Sequence, residues 1–140
     1  MIKTCHIGVK GIIKVGDSVL VLKKQKPELA YWDIPGGRIE DSETLEDALR
    51  RELNEDLPGL VDYTIENVVS AYRLPIDVEN EMGLVFVFFL VRAQSRDIGA
   101  VPEHEGFEWV TRETLPTLKE SEYEIQPRHY EALTRALELG

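Results

Sequence analysis

The segment from Gly36 to Leu60, GGRIEDSETLEDALRRELNEDLPGL, constrains this chain more than any other. Its glycine pair permits a backbone path closed to residues with a side chain. A helical stretch follows, carrying Glu52, Glu55 and Asp56 at spacings of three and four. That spacing stacks the carboxylates on one side of a helix. Like charges so placed repel unless something positive sits among them. A hard divalent cation is the simplest such species, and Mg²⁺ prefers oxygen ligands.

The helix has readable ends. Thr44 fits the N-cap, with Asp47 three residues on. The helix should run to about Leu57, where Pro58 and Gly59 stop it, Gly59 as a left-handed terminator. At about 100° per residue, Leu45, Leu49 and Leu53 define the inward stripe. Asp47, Arg50, Arg51 and Asn54 fall largely outward. Glu52 and Asp56 project beside the Leu45/Leu49 direction, and Glu55 falls next to Ala48. A merely solvated acidic face would point away from that stripe. Carboxylates bordering a buried face are costly without compensation, and a cleft holding a metal removes the cost.

The rest of the chain reads as strands and one more helix. Ile7 to Val15 is rich in β-branched residues, Ser18 to Lys23 alternates, and Gly16-Asp17 between them forms a hairpin turn. Residues 26–32 read as a loop with aromatics, leading through Asp33-Ile34-Pro35 into the glycine pair. Pro35 pushes Ile34 toward an extended conformation. Val61 to Leu74 reads as a strand closed by Pro75, and Gly83 to Ala93 as a central strand. Phe107 to Val110 is a short strand. Tyr123 to Leu139 reads as a closing helix with Leu133, Ala136 and Leu137 inward. Mixed strands with two helices imply an α/β sandwich around a mixed sheet, in a single domain over residues 1–140.

Composition narrows the function classes. The net charge of −10 argues against binding long nucleic acid, which needs a basic stripe. It leaves small phosphorylated substrates open, because a bound divalent ion supplies positive charge locally. The apolar run from Leu84 to Val91 is too short to span a membrane, and residues 1–6 lack the apolar core of a signal peptide. The single cysteine, Cys5, fits a reducing compartment and a cytoplasmic location.

The Gly37–Leu60 segment resembles the Nudix box: a glycine, five residues, Glu, seven residues, then Arg-Glu, an aliphatic residue, any residue, Glu-Glu, any residue, glycine and an aliphatic residue. Gly37, Glu43 and Arg51-Glu52-Leu53-Asn54-Glu55 follow it. Asp56 stands where the family has Glu, shortening the reach by one methylene. Pro58 makes the following stretch one residue too long. Every expected carboxylate position still holds a carboxylate.

The resemblance implies a Nudix-like α/β/α sandwich and a Mg²⁺-dependent hydrolase, with Mn²⁺ able to substitute. Glu52, Glu55 and Asp56 would hold the metal together with the Gly36 carbonyl. Arg51 would pair with Glu43 and orient the ligands. The general base would come from Glu52 in the box or from the later loop, where Glu103 and Glu105 are the candidates and Glu103 is a further candidate ligand. Lys23, Lys24 and Arg38 are candidates for substrate phosphates. Tyr31, Trp32 and Tyr72 could stack on a base or serve the core. His6 and His129 read as structural, and His104, in the later loop, lies near the expected site.

The substrate would be a nucleoside diphosphate linked to another moiety: a nucleoside triphosphate, ADP-ribose or another nucleotide sugar, or a dinucleotide. The alternative is a non-catalytic nucleotide-binding or regulatory module of the same fold. Small domains of this kind often pair, so a homodimer stays open.

Overall fold

The computed structural model describes residues 4–77, 82–101 and 106–140. Among them, seven strands form one mixed sheet: β1 (Thr4–Val15), β2 (Ser18–Lys26), β3 (Leu29–Asp33), β4 (Gly36–Arg38), β5 (Tyr63–Asp77), β6 (Met82–Ala93) and β7 (Gly106–Val110). The main order is β3-β2-β1-β6-β5, with β4 beside β1 and β7 beside β2. Among the described strands only β1 and β6 pair in parallel, in register from Thr4↔Met82 to Lys14↔Arg92. Helix α1 (Leu45–Asp56) covers one face and α2 (Pro127–Glu138) the other. The architecture is the expected α/β/α sandwich, and β6 is an interior strand.

One feature of the sheet positions the site. β1 and β2 pair only beside their hairpin, at Lys14↔Val19 and Val15↔Ser18. They then diverge. β4 fills the space beside β1, and β3 the space beside β2. The turn from Asp33 to Gly36 crosses the split, where the Gly11 N–H donates to the Pro35 carbonyl at 2.8 Å.

The period-two alternation of the strands sorts the core into two halves. Val9, Ile13, Leu20 and Leu22 meet Leu49, Leu53 and Leu57 on the α1 side. Ile12, Val19, Val21 and Phe88 meet Leu133, Ala136 and Leu137 on the α2 side. Lys14 also points to the α2 side, where its Nζ donates to the carbonyls of Ala136, at 3.0 Å, and Leu139. Burial lowers its pKa, and the contact favours a cation at the helix C-terminus.

Four local readings change. Residues Leu29–Asp33 form a strand rather than a loop, because β2 outruns its pairing with β1 and β3 takes up the vacated edge. Pro75 lies inside β5 instead of closing it. β5 ends the strand order, so one of its sides carries no ladder and a missing N–H is tolerated there. The closing helix starts at Pro127, an N1 proline. Before it, Glu124 is held beside β3 by Trp32 N–H to Glu124 O at 2.7 Å and Glu124 N–H to Ala30 O at 3.0 Å. Gly59 does not take a left-handed conformation. It is needed for another reason: a Cβ there would lie 2.1 Å from the Gly99 nitrogen. None of the described helices is long and apolar enough to cross a membrane.

Candidate active site

Helix α1 begins as its sequence dictates. The Thr44 hydroxyl accepts from the Asp47 N–H at 3.1 Å, and Leu57 closes the last turn through its N–H to Leu53 O at 2.8 Å. Its buried residues are Ala48, Leu49 and Leu53. That anchoring fixes the direction in which each acid projects.

Arg51 organises the start of the site. Its Nε donates to Glu43 Oε2 at 2.8 Å and its Nη2 to Glu43 Oε1 at 2.9 Å, a two-pronged pairing. Nη1 donates to Glu52 Oε1 at 2.9 Å, and Nη2 also reaches the Arg38 carbonyl at 3.2 Å. The Arg51 guanidinium, helped by the Glu40 N–H, holds the Glu43 carboxyl down at about 2. The guanidinium is in turn pushed well above its usual range, chiefly by Glu43. One cation therefore ties the loop before α1, the strand β4 and Glu52 into a unit.

The glycine pair meets this unit. Gly36 sits on β1: a Cβ there would lie 2.0 Å from the Val9 carbonyl oxygen, and its φ is +150°. Gly37 sits under Glu52, where a Cβ would lie 2.5 Å from the carboxyl carbon. The carboxylate thus rests on the bare backbone of Gly37, with 16% of the side chain exposed. Asp56 is partly buried one turn further on. Burial first, and then the Glu52 charge, raise its pKa, while Lys24 and Lys10 pull it down. Glu55 stands out at 61% side-chain exposure, so it does not border the buried face as the helical wheel suggests. The long, flexible glutamate leaves the surface more easily than its Cα direction implies.

A cleft of about 390 Å³ opens against these acids, lined by Leu22, Lys24, Glu55, Asp56, Pro58, Ala100 and Val101. Two clefts of about 390 and 460 Å³ lie at the N-terminus of α2, built from other elements, with Tyr31 and Ile125 in the first and Tyr123 and Tyr130 in the second. The acid-lined cleft is the one that matches the chemistry of the box.

Of the candidate phosphate contacts, Lys24 lines the acid cleft and acts on Asp56. Lys23 faces the other side of the sheet, 3.4 Å from Glu108 Oε1 and over the Trp32 and Tyr123 rings. Alternation along β2 separates the two lysines. Arg38 is exposed on β4 and holds Arg51 through its carbonyl. Glu103, His104 and Glu105 lie outside the described residues. Trp32 is core, with its Nε1–H donating to Ser121 Oγ at 3.0 Å. Tyr31 lines one of the α2 clefts.

No described trio of acids, histidines or cysteines closes on a common point as the ligands of a metal ion. The donor set nevertheless fits a hard divalent ion. Asp56 is held above its ordinary pKa by burial and by the carboxylate of Glu52, and a cation bound beside it would offset that repulsion.

The sequence reading missed a polar cluster on the α2 side. Asp33 Oδ1 accepts from Lys10 Nζ at 3.0 Å and from the Ile34 N–H at 2.8 Å, and His129 Nε2 lies 3.5 Å away. The Tyr72 hydroxyl is 3.1 Å from His129 Nδ1. The contacting pairs are 23 to 96 positions apart, so only Lys10, a charge at an inward position of an apolar strand, could have signalled the cluster.

A family model described as NUDIX domain matches residues 6–133. The nucleoside triphosphatase NudI of Enterobacter sp. (strain 638) is 33% identical over 94 residues, 62% of this chain and 66% of that protein. The RNA pyrophosphohydrolase of Pseudomonas savastanoi pv. phaseolicola is 32% identical over 118 residues, 72% of this chain and 74% of that protein. Among solved structures, a MutT NUDIX hydrolase from Burkholderia pseudomallei aligns with a TM-score of 0.68 at 22% identity, covering 95% of this chain and 98% of that one. A NUDIX-family hydrolase from Clostridium perfringens aligns at 0.71 and 20% identity, covering 94% and 95%. The two structures share the fold.

Proposed function

The chain belongs to the Nudix family of phosphoanhydride hydrolases, and on that premise we propose that residues 1–140 act as one domain that hydrolyses a nucleoside diphosphate linked to a further moiety, with Mg²⁺ or Mn²⁺ as cofactor. The observation that carries this reading is Glu52, seated on the bare backbone of Gly37 and gripped by an Arg51 that is itself locked to Glu43. A carboxylate held so firmly, one helical turn from the Asp56 that lines the acid cleft, is an oriented ligand rather than a solvated charge.

Glu52, Glu55, Asp56 and the Gly36 carbonyl would hold the ion. Bound there, it supplies charge neutralisation at the phosphoryl oxygens and acidifies water. The protein's own residues do the rest. Arg51 fixes one oxygen of Glu52 and so orients the other. Lys24 presents a cation to a phosphate entering the cleft. A carboxylate takes the proton of the attacking water: Glu52, with Glu103 and Glu105 as rivals. The water oxygen bonds to phosphorus, the anhydride P–O bond breaks, and two phosphate-bearing products leave. The similarity to a nucleoside triphosphatase and to an RNA pyrophosphohydrolase supports a nucleotide phosphoanhydride as the bond that reacts.

The non-catalytic reading draws on Asp56 and the extra Pro58. One experiment separates the two. The protein is incubated with Mg²⁺ and a panel of nucleoside triphosphates, 5′-triphosphorylated RNA, ADP-ribose, nucleotide sugars and dinucleoside polyphosphates, and phosphorylated products are scored. The enzyme reading expects turnover of at least one member. It also expects Glu55→Gln to lose about two orders of magnitude in rate with the fold intact. Binding without turnover across the panel assigns the chain to the regulatory module instead.

A further inference from the structure

The cluster around Asp33 lies on the α2 side of the sheet, opposite the acidic helix, and the reaction above gives it no task. Two of its members are nonetheless among the few buried polar groups of the described residues, Lys10 at 7% exposure and His129 at 4%, and Asp33 and Tyr72 are partly buried beside them. Burying charges and ring nitrogens is costly unless each is paired. Here each is. Asp33 collects β1 through Lys10, its own turn through the Ile34 N–H, and α2 through His129. His129 passes the link to Tyr72 on β5. Aromatic rings wall the cluster, with Lys10 Nζ 5.2 Å over the Phe86 ring and the His129 ring edge-on to Phe88 at 5.2 Å. Such surroundings strengthen the pairing and penalise its loss.

The location gives the cluster a consequence. Asp33 is the last residue of β3, and the next four residues are Ile34, Pro35, Gly36 and Gly37. Lys10 is the direct β1 partner of Gly36. The Lys10–Asp33 pair therefore grips the turn at both ends: one residue stands beneath Gly36, the other opens the turn. Between them the Pro35 carbonyl accepts from Gly11. The path is tight, because Gly36 lies on Val9 and Gly37 lies under Glu52. Asp33 and Lys10 thus hold the two ends of the backbone that carries Gly36 and leads to the floor beneath Glu52.

We propose that Asp33 is a positioning residue, which acts through Lys10, His129 and the Ile34 N–H to set the Ile34–Gly37 backbone against the Glu52 carboxylate from the opposite face of the sheet. The inference rests on the functional reading only in what the positioned turn is for, not in whether Asp33 positions it.

The test is Asp33→Asn, which keeps the shape and removes the charge. Amide hydrogen exchange reads the turn directly. The Gly11 N–H, bonded to Pro35, should exchange about ten-fold faster, while the Leu57 N–H, bonded within α1, keeps its rate. Mn²⁺ affinity, read by electron paramagnetic resonance on the protein without substrate, should fall about ten-fold, as for outer partners of metal ligands. Lys10→Met should show the same pattern more weakly, and it decides the matter if the Asn variant does not fold. Equal acceleration at Gly11 and Leu57 would mean a general loss of stability and would overturn the proposal. So would unchanged exchange at Gly11. Should the unaltered protein bind no Mn²⁺ and turn nothing over, the functional reading fails, and the Gly11 exchange still decides the role of Asp33.

Discussion

Replacing Gly37 by alanine should separate fold from chemistry. The added Cβ would lie 2.5 Å from the carboxyl carbon of Glu52 and 2.5 and 2.8 Å from its two oxygens. Ordinary contact begins at 3.4 Å, so the carboxylate must retreat by about 1 Å. It can do so without moving any backbone. It is the far end of a flexible side chain, and Gly37 itself lies outside the left-handed region. The retreat loosens the Arg51 hydrogen bond to Glu52 but moves no backbone, so the stability cost should be about 0.5–1 kcal/mol. The rate should not be spared. A displacement of about 1 Å at a reacting group costs on the order of a hundred-fold. Gly36→Ala is the matched control. Its Cβ would meet the backbone oxygen of Val9 at 2.0 Å with φ at +150°, and backbone cannot step aside. That variant should lose the cost of overpacking, about 1–3 kcal/mol, in urea denaturation. Steady-state rates and urea midpoints of both variants provide the assay. If Gly37→Ala keeps its rate within a few-fold of the parent, the seat of Glu52 on Gly37 has no part in the chemistry. If it loses as much stability as Gly36→Ala, the room above Gly37 is limited by backbone.

Three further outcomes follow from the same geometry. Arg51→Lys keeps a charge but loses the fork that spans Glu43 and Glu52, so the rate should fall about ten-fold or more while far-ultraviolet circular dichroism stays unchanged. Glu43 is held at about 2 against an ordinary 4.5. A lowered folded-state pKa contributes stability above the unfolded value and loses it as the pH falls. Thermal stability should therefore decline between about pH 4.5 and pH 2, and Glu43→Gln should flatten that part of the curve. Gly59→Ala places a Cβ 2.1 Å from the Gly99 nitrogen, where both partners are backbone; it should cost about 1–3 kcal/mol by thermal melting, although Gly59 needs no unusual φ.

Much of the fold and the box was legible because the signals are local and periodic. Thr44 and Asp47 announce the start of α1 within one turn, and the hydroxyl bond to the Asp47 N–H is the physical content of that signal. Leu49 and Leu53 repeat with the helix and are fully buried. The Glu43–Arg51 pair is eight residues long in sequence, short enough for a helix and its leading loop to close. Where reading stopped, the reason was a competing tertiary term. Leu29–Asp33 became a strand because β2 offered an edge. Pro75 stayed in a strand because β5 has an open side. Lys23 and Lys24 look equivalent in one dimension, yet alternation alone already assigns them to opposite faces.

By itself, then, the sequence determined the acids, the arginine among them, the glycine pair that precedes them and the apolar faces that sandwich the sheet. All of these depend on residues within one short segment, Gly36 to Asp56, or on a repeating period. Only the tertiary structure decided that Asp33 would meet Lys10 and His129, that Gly59 would lie against Gly99, and that Glu52 would come down on Gly37. Those contacts join segments whose separation carries no periodic signal. They exist because burying the apolar faces brings distant backbone together, and each polar group carried inward must then find a partner.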